Sequence, residues 1–404
     1  MIFKNIYYLL KVISSYLRQI STIALIFFLS AEEYGMLAVI ISLSQLIYTI
    51  SCGITNGAQL NIGSKIYKET GQYTNIVMYR YAIVFLHFFA CILFLYLLSN
   101  YLNSLFEVDM LLLFVISLSI GYVLYETGTQ LLYPSKYFSH QVSIEFLVNL
   151  SLLAAVIFFI RSLESFVIAF VAISATSAIA AIYIFKRKVF SHQKIIKSDF
   201  LMVYRYSIWQ IISVFSIYIL NYSLPFLFAY FNFSNEELGQ YQFGLRLFFG
   251  MSGFFALVLV VAPKIMNFQP KLREKIHGIC LFSVLVLSTV YLAAYYIINY
   301  VLIIFEKTEY IQSIEVMLYM FPSFIFMCYS NIMNTIFSNT KLYKLAQGAI
   351  LMQSICFIFS APLMISLYGK LGIIYSYTIA FLLGAVFTML IYFKNKDLVT
   401  SIRL

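Results

Sequence analysis

Twelve apolar runs divide this chain almost from end to end, and each is close to the length that crosses a bilayer as a helix. A spanning helix needs about 20 predominantly apolar residues. The runs fall near 6–29, 36–62, 78–98, 109–131, 142–160 and 165–185, then near 201–229, 240–263, 277–304, 311–337, 343–366 and 371–393. In hydrocarbon every backbone N–H and C=O must find a partner within the protein, so runs of this length form helices. A β-barrel would show short segments of alternating polarity instead. Charged residues make up 10% of the chain, against roughly 25% in soluble domains. That is too few to cover a water-facing surface. The expected fold class is an all-α polytopic membrane protein with about twelve transmembrane helices.

The charges that do occur are placed unevenly. Nineteen lysines and arginines lie in alternate loops or at the two ends, among them Lys65, Lys68, Arg80, Lys136, Lys186 and Lys264. The opposite loops hold three, Arg161, Lys307 and Lys370, with most of the acids, including Glu32, Glu33, Glu236 and Glu237. Cytoplasmic loops carry the excess of Lys and Arg. Both termini are therefore expected in the cytoplasm, and the number of spans is even. The net charge of +10 then belongs to the inner loops of a membrane protein and does not point to nucleic acid. The first run carries Lys11 and Arg18 and leads straight into a second span without a small-residue cleavage pattern. It is expected to stay as a helix, not to be removed as a signal peptide. No loop is long enough to form a domain, so any chemistry must lie within or between the spans.

The two halves share a pattern. Ser30-Ala31-Glu32-Glu33-Tyr34-Gly35 and Ser234-Asn235-Glu236-Glu237-Leu238-Gly239 are both S-x-E-E-x-G, 204 residues apart. Lys65-Ile66 recurs as Lys264-Ile265, and Lys136 as Lys341. An even number of spans per half makes such a repeat parallel, about an axis along the membrane normal. The expected division is one six-helix bundle over 1–190 and a second over 191–404. The hexapeptide also has a purely local reading. Ser followed three residues later by Glu is a capping box, which an external helix start favours in its own right.

Ionisable side chains inside a span are costly and mark functional sites by default. Lys11, Ser14, Ser15, Arg18 and Thr22 fall on one face of the first span. Arg18 is near mid-membrane, whereas Lys11 is close enough to the cytoplasmic end to snorkel there. Gln45, Thr49, Cys52, Asn56 and Gln59 form a parallel line on the second span. Spans seven and eight add Gln210, Asn221 and Arg246, the last also within reach of Glu236 or Glu237. Glu126 is the deepest acid. It reads either as a site where a proton or cation couples to transport or as half of a structural salt bridge.

Several chemistries are excluded. There is no GxxxxGK[ST] for nucleotide phosphates, no HExxH and no GxSxG. No large external loop offers the paired acids of a membrane glycosyltransferase. The five cysteines lie in apolar runs without CxxC spacing or histidine neighbours, and read as small buried residues. No catalytic residue, metal site or bound cofactor is expected.

The stretch from Ser30 to Lys65 joins an E-E-Y-G turn, an apolar span, Gly53, the polar segment Thr55-Asn56-Gly57-Ala58, and Gly63-Ser64-Lys65. It resembles the bacterial polysaccharide-repeat flippases, the O-antigen (Wzx-type) transporters of the multidrug/oligosaccharidyl-lipid/polysaccharide exporter superfamily. In length, span count and two-half layout the resemblance covers the whole chain. It implies a MATE-like pair of six-helix bundles around a central cavity, alternating access, and residence in the bacterial inner membrane. It implies no cofactor beyond a proton or sodium gradient. It implies a cargo of oligosaccharide, an O-antigen or capsule repeat unit, on undecaprenyl diphosphate, and other polysaccharide assembly proteins as partners. The residues agree on the sign of the cargo. A diphosphate is a compact multivalent anion, and Arg18, Arg246 and Lys11 are cations inside the spans. Gln45, Asn56, Gln210 and Asn221 suit sugar hydroxyls. A drug or cation antiporter of the same superfamily is the alternative, and would favour acids in the N-terminal bundle. A polysaccharide polymerase comes third, disfavoured by the short external loops.

Overall fold

The computed structural model describes residues 2–106, 108, 110–190, 197–251, 276–338 and 342–395, and among them every regular element is a helix. Helix α1 (Ile2–Ala24) is followed by α2 (Ala31–Tyr48), a π-helical segment (Thr49–Gly53) and α3 (Ile54–Thr70). Then come α4 (Thr74–Leu97), α5 (Ser99–Phe106), α6 (Leu111–Gln130), α7 (Phe138–Phe158) and α8 (Leu163–Lys188). The chain continues with α9 (Lys197–Tyr222), α10 (Leu224–Tyr230), α11 (Asn235–Met251) and α12 (Ile276–Ile304). It ends with α13 (Ile311–Tyr319), α14 (Phe321–Ser338), α15 (Tyr343–Tyr368) and α16 (Leu371–Lys394).

Nine described helical stretches are long and apolar enough to cross a membrane, and eleven when each of two bent pairs counts as one span. The bent pairs are Phe200–Ile208 with Gln210–Tyr222, at 42°, and Thr308–Tyr319 with Phe321–Phe337, at 54°. The expected eighth span, 240–263, is described only as far as Met251. The rest of it lies outside the described residues, as do Lys194, Lys264 and Lys341 and hence one member of each lysine correspondence. One face of α4 shows what surrounds the protein. Phe85, Leu86, Phe89, Leu93 and Phe94 are all exposed, while Ile76 and Ile83 pack inward with Ala58 and Val203. A bare apolar face of this kind is an aggregation liability in water and the ordinary lipid-facing surface of a multi-pass membrane protein.

The chain divides into two compact units, Met1–Tyr218 with Tyr222–Gly239, and Ile219–Asn221 with Gln240–Leu404. In the first, α1 packs on α7, α6 on α8 and α2, and α3 on α4. In the second, α15 and α16 pack on each other and on α14, which also takes α12.

Both copies of the repeated hexapeptide start a helix, and both readings of it hold at once. Ser30 N–H donates to Glu33 Oε2 at 2.9 Å, and Glu33 N–H donates back to Ser30 Oγ at 3.2 Å. The pair Ser234 and Glu237 repeats this at 3.0 and 3.2 Å. Each is a capping box, satisfying amides that the first helical turn leaves open. Within the first unit the two copies also meet. A Cβ on Gly35 would stand 1.8 Å from the Asn235 carbonyl oxygen, and a Cβ on Gly239 would stand 1.8 Å from that of Ala31. This reciprocity, residue i on j and j on i, is the mark of a two-fold contact. The glycines are there because nothing larger lets the two backbones cross so closely.

Candidate functional site

The polar stripe of α1 is oriented by a buried hydrogen-bond chain. Asn149 of α7 donates through Nδ2 to Ser14 Oγ at 2.8 Å, and its Oδ1 accepts from Tyr125 OH of α6 at 3.0 Å. Ser14 is fully buried. This sets the rotation of α1 and places Lys11 and Arg18, one turn to either side of Ser14, where two neighbouring cavities open.

Arg18 lines the first cavity, of about 260 Å³. Its guanidinium carbon lies 4.7 Å from the centre of the Tyr125 ring, a cation–π distance. Tyr48, Tyr122, Tyr218 and Tyr222 complete an aromatic wall, and Gln45 and Thr49 supply polar groups. Among the described residues no carboxylate comes within 4.0 Å of Arg18.

Glu126 lines the same cavity, but its charge is engaged from behind. Its Oε1 lies 2.6 Å from Arg80 Nη2, and Arg80 has no exposed surface. Arg80 also donates to Thr55 Oγ1 at 3.2 Å, to Cys52 Sγ at 3.3 Å and to Gln59 Oε1. The Cys52 thiol in turn donates to Glu126. A buried ion pair is tolerable only with its remaining hydrogen bonds made, and here the α2–α3 helix supplies them. Arg80 overturns the sequence-based expectation of a loop cation. It lies inside α4, and the apolar Ile76, Val77 and Met78 precede it. That early apolar start is the signal that could have placed it within the span.

Lys11 belongs to the second cavity, of about 300 Å³, with Asn56, Thr129, Gln130, Tyr133 and Glu145. Lys11 Nζ is 3.8 Å from Glu145 Oε2 and 4.1 Å from the centre of the Tyr133 ring, and it donates to Tyr133 OH. Tyr133 OH donates onward to Glu145 Oε2 at 2.7 Å. Lys11 is therefore paired in place. Gln130 lines both cavities.

The line of polar residues on the second span is shared out. Gln45 and Thr49 face the Arg18 cavity, Cys52 and Gln59 hold the Arg80–Glu126 pair, and Asn56 lines the Lys11 cavity. The π segment between α2 and α3 is the physical reason. Its i→i+5 bonding widens the turn and so rotates α3 away from the register an unbroken α-helix would keep. Gln210 packs on α3, where a Cβ at Gly57 would fall 2.2 Å from its Oε1. Asn221 and Arg246 belong to the second unit, where both are half-buried. Arg246 bears electrostatically on Tyr377 there. The tyrosines around Arg18 were not singled out from sequence. Their spacings, Tyr122 with Tyr125 and Tyr218 with Tyr222, put each pair on one helical face.

No family profile and no curated protein sequence matches the chain. Solved structures do. The lipid II flippase MurJ, in an inward closed conformation, superposes with a TM-score of 0.69 at 12% identity, over 97% of this chain and 87% of that one. A multidrug resistance MATE family transporter of the MOP superfamily, inward-facing, gives 0.64 at 12% identity, over 96% and 95%. The MATE multidrug transporter DinF-BH gives 0.62 at 12% identity, over 99% and 96%. The fold of this chain is the one these transporters share.

Proposed function

We propose that this chain is a flippase for an anionic lipid-linked oligosaccharide. The cargo would be an O-antigen or capsule repeat unit on undecaprenyl diphosphate, moved from the cytoplasmic to the periplasmic leaflet of the bacterial inner membrane by alternating access. The observation that carries this reading is the charge balance around Arg18. Glu126 is matched by Arg80 and Lys11 by Glu145, whereas Arg18 faces its cavity with no carboxylate partner among the described residues. The pair of cavities thus holds one surplus positive charge. Arg18 is exposed on the wall of that cavity, where such a charge attracts an anion, and a guanidinium fork matches phosphate oxygens in a charge-assisted way. Gln45 and Asn56 are the nearby polar contacts, and Arg246, Gln210 and Asn221 are the further contacts we assign to the cargo. The shared fold with a flippase named for lipid II supports a lipid-linked cargo as a class. Glu126 is the group we assign to coupling with a proton or sodium gradient.

Replacing Arg18 with Gln tests this in the host. Surface polysaccharide is expected to be lost at unchanged protein level, with partial retention for Arg18→Lys, which keeps charge but not the fork. Full surface polysaccharide with Arg18→Gln would overturn the assignment.

One observation favours a second reading, export of a cationic drug. Glu126 presents a carboxylate in a tyrosine-rich cavity, and aromatic walls suit organic cations. Drug resistance conferred on a sensitive strain, abolished by Glu126→Gln and indifferent to Arg18→Gln, would establish it in place of the flippase.

A further inference from the structure

The basic residues at one end of the first unit are gathered by packing as well as by sequence. Tyr67 near the end of α3, Tyr73 in the α3–α4 turn and Phe185 near the end of α8 stack edge to face, with ring centres 5.7 and 5.5 Å apart. Tyr73 OH donates to the Leu131 carbonyl at 2.6 Å, which brings the end of α6 into the same cluster, and Tyr137 packs on its rim. The cations stand beside these anchors. Lys65 and Lys68 flank Tyr67, Lys136 precedes Tyr137, and Lys186, Arg187 and Lys188 follow Phe185 directly. All six are exposed, and none has a carboxylate within 4.0 Å among the described residues. Glu69 is the one acid on these turns. Part of the charge suits helix C-termini, whose open carbonyls favour cations. Three consecutive cations on α8 and a lysine in the α6–α7 turn exceed that need. Unpaired like charges fixed on one end repel one another, so an anion from outside the chain stabilises it.

The outer face of α8 identifies the anion. Val167, Phe170, Ala178, Ala181 and Phe185 of this helix are buried, whereas Ile168, Ile179, Ile182 and Tyr183 are exposed. From Ile168 to Tyr183 the helix rises about 22 Å, more than the roughly 15 Å depth of one leaflet's hydrocarbon. Tyr183 then marks the headgroup level, where tyrosines concentrate. Arg187, one turn on, donates through Nη1 to Tyr183 OH at 3.2 Å. Lys186, three residues from Tyr183, shares that face. An apolar strip that ends in a tyrosine and two cations matches a molecule with acyl chains and a phosphate. A soluble polyanion or an acidic protein segment would use the cations and leave the strip bare. We propose that this end of the first unit binds an anionic phospholipid of the bilayer, with its chains on the outer face of α8 and its phosphate at Lys186 and Arg187. Lys65, Lys68, Lys136 and Lys188 add to the field that favours it. The ligand is the surrounding membrane and not the cargo, so the site stands whether or not the chain is a flippase.

The test uses the full-length protein in a neutral detergent, with binding of labelled lipid read at equilibrium. The probes are dioleoyl phosphatidylglycerol, dioleoyl phosphatidylcholine as the lipid of zero net charge, glycerol 3-phosphate as a phosphate without chains, and a poly-glutamate peptide as an acidic segment. Wild-type protein is expected to bind phosphatidylglycerol at least tenfold more tightly than phosphatidylcholine. That preference should vanish in 1 M salt, where the Debye length is about 3 Å. Lys186→Gln with Arg187→Gln should bring phosphatidylglycerol binding down to the phosphatidylcholine value while leaving phosphatidylcholine binding within twofold. Both positions are exposed, so the melting midpoint should not move. Lys307→Gln, which removes a cation paired with Glu309 elsewhere in the chain, should keep the preference in full. Equal wild-type binding of the two lipids, or a preference that survives the double variant, would overturn the lipid surface. So would displacement of phosphatidylglycerol by an equal concentration of glycerol 3-phosphate, which would show a phosphate site that needs no membrane. Displacement by an equal concentration of poly-glutamate would overturn it in favour of an acidic protein partner.

Discussion

Arg80 and Glu126 form an ion pair shut away from solvent, with side-chain exposures of 0% and 2%. Breaking such a pair from one side leaves a bare charge in the interior, which costs about 3–5 kcal/mol. Arg80→Met is therefore expected to lower the melting midpoint of the purified protein sharply. Adding Glu126→Leu should restore most of it, because the orphaned charge leaves with its partner. A single variant as stable as the wild type, or a double variant no better than the single, would contradict this account of the pair. The cavity adds a second consequence. Without Arg80 the carboxylate of Glu126 offsets Arg18, so whatever Arg80→Met protein remains folded should bind undecaprenyl diphosphate less tightly than wild type. At this scale the sequence was legible where a charge stood deep in an apolar run, as Arg18 does. It was not legible at the run's edge, where Arg80 looks like one more cytoplasmic cation. The tyrosine wall was hidden for another reason. With 34 tyrosines in the chain, only the packing of α2, α6 and α9 shows which of them face Arg18.

At the scale of helices, the crossing of α2 and α11 at Gly35 and Gly239 makes an asymmetric prediction about glycine. Any side chain at either position strikes a carbonyl of the opposing backbone, and overpacking of this kind costs about 1–3 kcal/mol. Gly35→Ala and Gly239→Ala should both lower the melting midpoint, and by similar amounts because the contact is reciprocal. Gly278 on α12 is the control, since a Cβ there meets nothing within 4 Å. Gly278→Ala should be neutral or stabilising, by up to about 1 kcal/mol of helix propensity. Equal effects at Gly35 and Gly278 would show that the crossing is not tight. Element positions were largely legible, because a bilayer fixes both the length and the type of a spanning segment. Breaks within elements were less so. The bend between α13 and α14 had a signal in Pro322, which suits the first turn of a helix and disrupts an interior. The π segment at Thr49–Gly53 had no comparable signal, and it divided a polar line that looked continuous.

For the whole molecule, the loop charges carry a proposed orientation, with the repeated helix starts outside and the lysine-rich turns inside. Cysteines introduced at the exposed positions Glu32, Glu236 and Lys136 test this in intact spheroplasts. A membrane-impermeant maleimide is expected to label Glu32→Cys and Glu236→Cys, and to leave Lys136→Cys untouched until the membrane is opened. The reverse pattern would invert the topology and with it the direction of the proposed transport. Flippases and drug exporters share this fold, and in the proposed function the sign of the charge around Arg18 is what separates them. The measurement that tests it most directly is leaflet exchange of undecaprenyl-diphosphate-linked repeat unit in liposomes holding the purified protein. Wild-type protein should speed exchange well above empty liposomes, with Arg18→Gln at least tenfold slower and Arg18→Lys between the two. Wild-type exchange no faster than empty liposomes, or equal exchange by wild type and Arg18→Gln, would contradict the account.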